Sequence, residues 1–217
     1  MGLAAAGRQG AQPPPGRVPV EFIGLARALR GRVAEAHAAR EAAAERMLAP
    51  FRATARFTPM PRHKLLKVLA AAWRVLPDPG RLFLLAEAEG GRLRITEIRA
   101  APSRLMMGGW DAGEPALSLM LRDVRIVPPD FRETAALLAI VGLHALARRY
   151  ERCHVRTDPA VLRDLAPVGR SYADAVGRGG EFAIQTAGGG RWIGAVMASG
   201  DAPVLAVRTF VEGARSG

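Results

Sequence analysis

Apolar positions recur at helical spacing from the first well-patterned stretch of the chain. Phe22, Leu25, Ala26, Leu29 and Val33 fall on one face of a helix, and an Ala- and Glu-rich run follows to Met47. This spacing predicts an amphipathic helix over 20–50, weakened at Gly31 and ended by Pro50. Phe51 to Thr58 reads as a short strand, and Leu65, Leu66, Val68, Leu69, Trp73 and Leu76 place a second helix over 62–76. The pattern then changes period. Arg81 to Glu89 and Arg92 to Ala100 flank Gly90-Gly91, a hairpin signature, with Leu93, Ile95 and Glu97 on one face of the second strand and Arg92, Arg94, Thr96 and Ile98 on the other. Pro102 to Glu114 has no regular period and reads as a loop.

The central stretch runs from Ala116 to Tyr150. It reads as an apolar strand to Val127, a hinge at Pro128-Pro129-Asp130-Phe131-Arg132, and a helix whose core-facing residues extend from Leu137 to Leu146. A strand feeding a buried helix is a common ligand seat, because the first helical N–H groups have no internal partner. Cys153 to Thr157 reads as a strand, and Asp158-Pro159 opens a helix as N-cap and first residue. That helix falters near Pro167 and Gly169 and resumes through Ser171 to Val176. Strands over 181–186, 191–198 and 204–211 close the chain. The order predicts an α/β (α+β) fold with a mixed, largely antiparallel sheet flanked by helices. Residues 1–19, rich in Pro and Gly, predict a disordered tail, leaving 20–50 as an N-terminal helix and 51–217 as the main domain.

Composition adds less. The chain has 217 residues, enough for one sizeable core, and a net charge of +11. Such a charge attracts anionic partners, although nearly all of it is arginine, as a compositional bias of the source genome would also produce. The single cysteine, Cys153, excludes an intrachain disulfide and a multi-cysteine zinc site, and His37, His63, His144 and His154 show no ligand spacing, so no metal is expected. No apolar run suits a leader or a membrane span, which predicts a cytoplasmic protein without membrane insertion. A Gly-x-Ser-x-Gly elbow, a Walker lysine and a dinucleotide fingerprint are all missing.

The order of elements, centred on Val127-Pro128-Pro129-Asp130-Phe131-Arg132, resembles the GNAT acyltransferase superfamily over residues 53 to 200. Acyl-homoserine-lactone synthases of the same fold are a fainter resemblance, through Thr157 to Ala160. The likeness implies acyl transfer from an acyl-CoA or an acyl-phosphopantetheine on an acidic carrier protein to a small-molecule or protein amine. Carried over, Val127 would offer its backbone to pantetheine, while Arg132, Thr134 and Ala135 would lie in the pyrophosphate loop. Tyr172 would protonate the departing thiolate, and Glu97 and Asp123 are the candidate bases. Ala135 and Leu137 occupy positions where the family has glycine. The alternative is a non-catalytic basic module that binds nucleic acid or an acidic protein through Arg27, Arg30, Arg62, Lys64 and Lys67. The arginines of the first helix, Arg27, Arg30, Arg40 and Arg46, read either as such a surface or as a solvated helix side.

Overall fold

The computed structural model describes residues 18–52, 61–103, 114–199 and 202–213. Two long N-terminal helices, α1 (Val20–Arg52) and α2 (Arg62–Val75), precede four strands: β1 (Arg81–Glu89), β2 (Arg92–Pro102), β3 (Pro115–Val127) and β4 (Asp130–Gly142). Then come α3 (Leu143–Arg152), α4 (Asp158–Arg170) and α5 (Tyr172–Arg178), followed by β5 (Glu181–Gln185), β6 (Arg191–Ser199) and β7 (Ala202–Val211). The seven strands form one sheet in the order β1-β2-β3-β4-β7-β6-β5. Every neighbouring pair is antiparallel except β4 and β7, which run parallel. The chain is thus a mixed α/β protein with a mostly antiparallel sheet.

The hairpin at Gly90-Gly91 forms as its sequence predicts. Both glycines have positive φ, 56° and 74°, and the strands pair from Glu89↔Arg92 back to Phe83↔Ile98. Successive residues of a strand point to opposite faces, so Glu97 and Ile98 sort the helices. Arg40 of α1 and Trp73 of α2 both donate hydrogen bonds to Glu97, which puts them on one face. On the other, Gly169 of α4 lies so close to Ile98 that a Cβ there would stand 2.8 Å from its Cγ2.

Two apolar clusters result. One gathers Phe22, Leu29, Leu117, Leu146, Leu165 and Phe210, and the other Leu48, Leu66, Trp73, Ile95, Val124 and Ile126. Burying such side chains contributes about 1.5–3 kcal/mol each.

Several sequence expectations are corrected. Residues 130–142 are a strand, so the expected hinge is a hairpin turn with a cis Pro128–Pro129 peptide and the expected helix starts only at Leu143. β3 and β4 pair from Val127↔Asp130 to Pro115↔Gly142, with register shifts at Leu138 of β4 and at Ala116 of β3. Residues 153–157 are not a strand: the Cys153 N–H caps α3 on the Arg149 carbonyl and the segment links two helices with no strand alongside. Pro50 does not end α1, which continues to Arg52, because a proline in a final turn removes only one hydrogen bond. Val18, expected in the tail, is 6% exposed and belongs to the core. Phe51 and Arg52, expected to open a strand running to Thr58, are the last turn of α1 instead, and residues 53–58 of that strand, 1–17 of the expected tail and 104–113 of the expected loop lie outside the described residues.

Candidate functional site

The cofactor-binding residues expected at the hinge are carried by a hairpin. Val127 pairs with Asp130 at its tip, and Arg132, Thr134 and Ala135 pair with Arg125, Asp123 and Arg122. Consecutive residues of β4 point to alternate faces, so Ala135 lies opposite Arg132 and Thr134. The helix that does follow, α3, has its first N–H bonded to the Glu114 carbonyl at 2.8 Å. The unpaired N–H groups on which the pyrophosphate loop was expected are therefore not at Arg132.

The three expected catalytic groups are also kept apart in role. Glu97 has a fully buried side chain that accepts hydrogen bonds at Oε2 from Arg40 Nη2 and Trp73 Nε1, both at 2.9 Å. Asp123 pairs with Thr96, the residue before Glu97, and so projects from the opposite face. The Tyr172 hydroxyl donates to the Pro203 carbonyl at 2.7 Å and ties α5 to β7. Burial tends to raise the Asp123 pKa, but hydrogen bonds from Thr96 and Arg125 prevail and hold it below the usual carboxylate range. A carboxylate with a depressed pKa is a weak base.

Arg40 shows what sequence reasoning missed. It is 1% exposed, packs 4.4 Å from the Trp73 ring centroid, and lies within 3.7 Å of Asp78 as well as against Glu97. Around it, Arg99 meets Asp78 and Glu41, while Arg122 meets Glu41, Glu45 and Glu133. Arg52 closes the chain of charges on Glu45 and Glu133. These charges fasten the second half of α1 to the sheet and are internally compensated. Of the other α1 arginines, Arg27 and Arg30 pair with Glu114, and Arg46 is exposed.

The opposite face carries charge that is only partly compensated. Register places Glu87, Arg94, Arg125 and Arg132 side by side in one row across β1, β2, β3 and β4. The next row is Leu85, Thr96, Asp123 and Thr134. Arg94 and Arg125 have side chains 53% and 58% exposed and share Asp123, at 3.7 and 2.7 Å. Arg132 is exposed and makes no hydrogen bond or ion pair among the described residues. Like charges directly opposite each other destabilise a sheet by a few tenths of a kcal/mol or more. Arg125 thus has a like charge opposite it on both sides, a cost to the fold that Asp123 and, opposite Arg94, Glu87 offset in part.

An open cleft of about 580 Å³ lies over the part of this row on β1 to β3, lined by Glu87, Glu89, Arg92, Arg94, Arg125 and Val127. A smaller one of about 210 Å³ on the far side of the hairpin tip holds His63, Lys67 and Arg92. The two share Glu89, Gly90 and Arg92, so Lys67, Arg92, Arg94 and Arg125 form a band around the tip. Lys64 is exposed next to it, and Arg62 opens α2.

Among the described residues no group of three or more His, Cys, Asp and Glu could hold a metal ion, and no helix is long and apolar enough to cross a membrane. Comparison of the chain with protein-family models, curated proteins and solved structures gives no match.

Proposed function

We propose that this protein is a non-catalytic binding module that takes the phosphate backbone of a single-stranded nucleic acid on the exposed sheet face of β2, β3 and β4. The row Arg94, Arg125 and Arg132 carries this reading: three adjacent guanidiniums on neighbouring strands, all exposed, that outnumber the carboxylates beside them, Glu87 and Asp123. Strands lie about 4.8 Å apart, so Arg94 and Arg132 span about 10 Å in a line, matching a linear polyanion better than a point charge. Arginine binds phosphate through paired N–H donors, and the Thr134 hydroxyl beside the row adds a donor that suits the same oxygens. The band through Arg92 and Lys67 extends the path around the hairpin tip.

The test is fluorescence anisotropy with a labelled single-stranded oligonucleotide at several salt concentrations. Neutralising three phosphates gives a slope of about −2 in log K against log salt. The variant R94Q/R125Q/R132Q should bind at least about tenfold more weakly with a flatter slope. Equal binding by wild type and variant would overturn the proposal. So would competition by polyglutamate as effective as by unlabelled oligonucleotide, which would point to an acidic protein.

A further inference from the structure

A third cleft, of about 690 Å³, lies away from the arginine row between α3, α4 and the turn joining β5 to β6. Its size falls within the usual range for small-molecule sites. Arg149 of α3 is 3% exposed and held rigidly: Nε donates to Asp164 Oδ2 at 2.6 Å, Nη1 donates to the Val155 carbonyl at 3.0 Å, and the Phe210 ring stands 5.8 Å away. Its Nη2 has no partner among the described residues, and the side chain lines the cleft. Arg163, one residue before Asp164, is exposed on the same wall with no hydrogen bond or ion pair among the described residues.

The turn 187–190 and the residues after β7 complete the lining. The bends of the turn are closed by the Gly189 N–H on the Thr186 carbonyl and the Gly190 N–H on Thr186 Oγ1, leaving the Ala187 and Gly188 N–H groups without partners among the described residues. Glu212 also lines the cleft, and no ion pair joins it to Arg163 or to any other described residue.

Charge decides the ligand class. Arg149 and Asp164 cancel each other, which leaves one cation, Arg163, and one anion, Glu212, that form no ion pair, with the imidazole of His154 also in the lining. A simple anion gains from Arg163 and loses against Glu212. A molecule with both signs gains from both.

We infer that this cleft binds a free α-amino acid, its carboxylate on Arg149 Nη2 and Arg163 and its ammonium on Glu212. The site is separate from the arginine row and does not depend on its role.

Cys153, the only cysteine of the chain, lines the same cleft and is half-buried, so its modification by a thiol reagent reports occupancy. The experiment follows the rate of Cys153 modification by an aromatic disulfide reagent, together with Tm, in the full chain at constant ionic strength. The probes are the twenty common amino acids singly, acetate, methylammonium and inorganic phosphate. At least one amino acid should slow modification and raise Tm in a saturable way, while acetate and methylammonium do neither. R163Q and E212Q, both exposed positions, should each weaken that effect about tenfold, the worth of one charge-assisted hydrogen bond, without lowering the Tm of the unliganded protein. The inference is overturned if no amino acid protects Cys153, if inorganic phosphate protects as well as any amino acid, or if E212Q binds as tightly as wild type.

Discussion

Arg40 and Glu97, 57 residues apart in sequence, meet at 2.9 Å with neither side chain reaching solvent. Burial pushes the Arg40 pKa down, and Glu97 is the nearest group that opposes this. Removing one partner of a buried pair strands a charge and costs about 3–5 kcal/mol, whereas replacing both with apolar residues is often close to neutral. Glu97→Gln should therefore lower the urea midpoint strongly, and Arg40→Met with Glu97→Leu should recover much of the loss. A Glu97→Gln protein that unfolds at the wild-type midpoint would show that this pair does not hold α1 to the sheet.

Asp158 ties three helices. It accepts hydrogen bonds from Arg32 of α1 at 2.5 and 2.9 Å and from the Tyr150 hydroxyl of α3 at 2.8 Å, at the first residue of α4. Its expected role as N-cap passes to Thr157, which makes no side-chain cap bond, because the Asp158 carboxylate is occupied elsewhere. Burial alone would raise its pKa, but the bonds from Arg32 and Tyr150 outweigh it and the net shift is downward. The folded protein thus prefers the carboxylate, and the stabilisation is complete above the unfolded value of about 3.9 and disappears as pH falls through the lower folded value. With Arg32 half exposed, the contribution is about 1 kcal/mol. Tm curves of wild type and Asp158→Asn should differ near neutrality and converge in acid; curves that stay parallel to the lowest pH reached would contradict this.

The arginine row has a stability signature independent of any ligand. Screening weakens repulsion between exposed like charges, so the wild-type Tm should rise with added salt and R94Q/R125Q/R132Q should respond less. In low salt the triple variant should be as stable as wild type or slightly more so. A variant clearly less stable at low salt would mean the arginines serve the fold.

Tyr172→Phe should cost about 1 kcal/mol, the worth of the hydroxyl's bond to the Pro203 carbonyl, and leave oligonucleotide affinity unchanged. Denaturant melts and the anisotropy titration read the two effects separately. A loss of affinity without a loss of stability would return Tyr172 to the functional site.

Gly190→Ala should be more damaging than Gly188→Ala. A Cβ at 190 would stand 2.1 Å from Cζ of Phe210, whereas at 188 its nearest neighbour is Asp164 Oδ1 at 3.7 Å. Overpacking of this kind costs about 1–3 kcal/mol. Similar unfolding midpoints for the two variants would argue against the tight contact.

Local signals carried much of the fold into the sequence. Gly90-Gly91 between alternating strands marked the first hairpin, and the same logic located β3, β5, β6 and β7 within a few residues. Residues 130–139 misled because Glu133, Ala135, Ala136, Leu137 and Leu138 are good helix formers, and intrinsic preference yields to pairing when a long strand is already in place alongside. The burial of Arg40 had a faint trace, since it falls seven residues after Val33 on the stripe that continues through Ala44 and Leu48. Arg132 stood out in the sequence for its place beside the hinge. Its neighbours Arg94 and Arg125 could not, because cross-strand register brings together residues far apart in the chain.

The sheet is joined at its middle by very little. β4 and β7 pair only at Ala139↔Leu205, Ile140↔Ala206 and Val141↔Val207, while every other ladder links strands adjacent in sequence. The first four strands and the last three can each pair from short-range encounters, but this union must wait until α3, α4 and α5 have brought distant segments together, against the entropy of closing a long loop. In order of assembly, the four-stranded and three-stranded parts come first and the seam between them last. Amides on either side of that seam therefore bear the record of the whole molecule's folding, and pulsed hydrogen exchange should find them the latest in the sheet to gain protection.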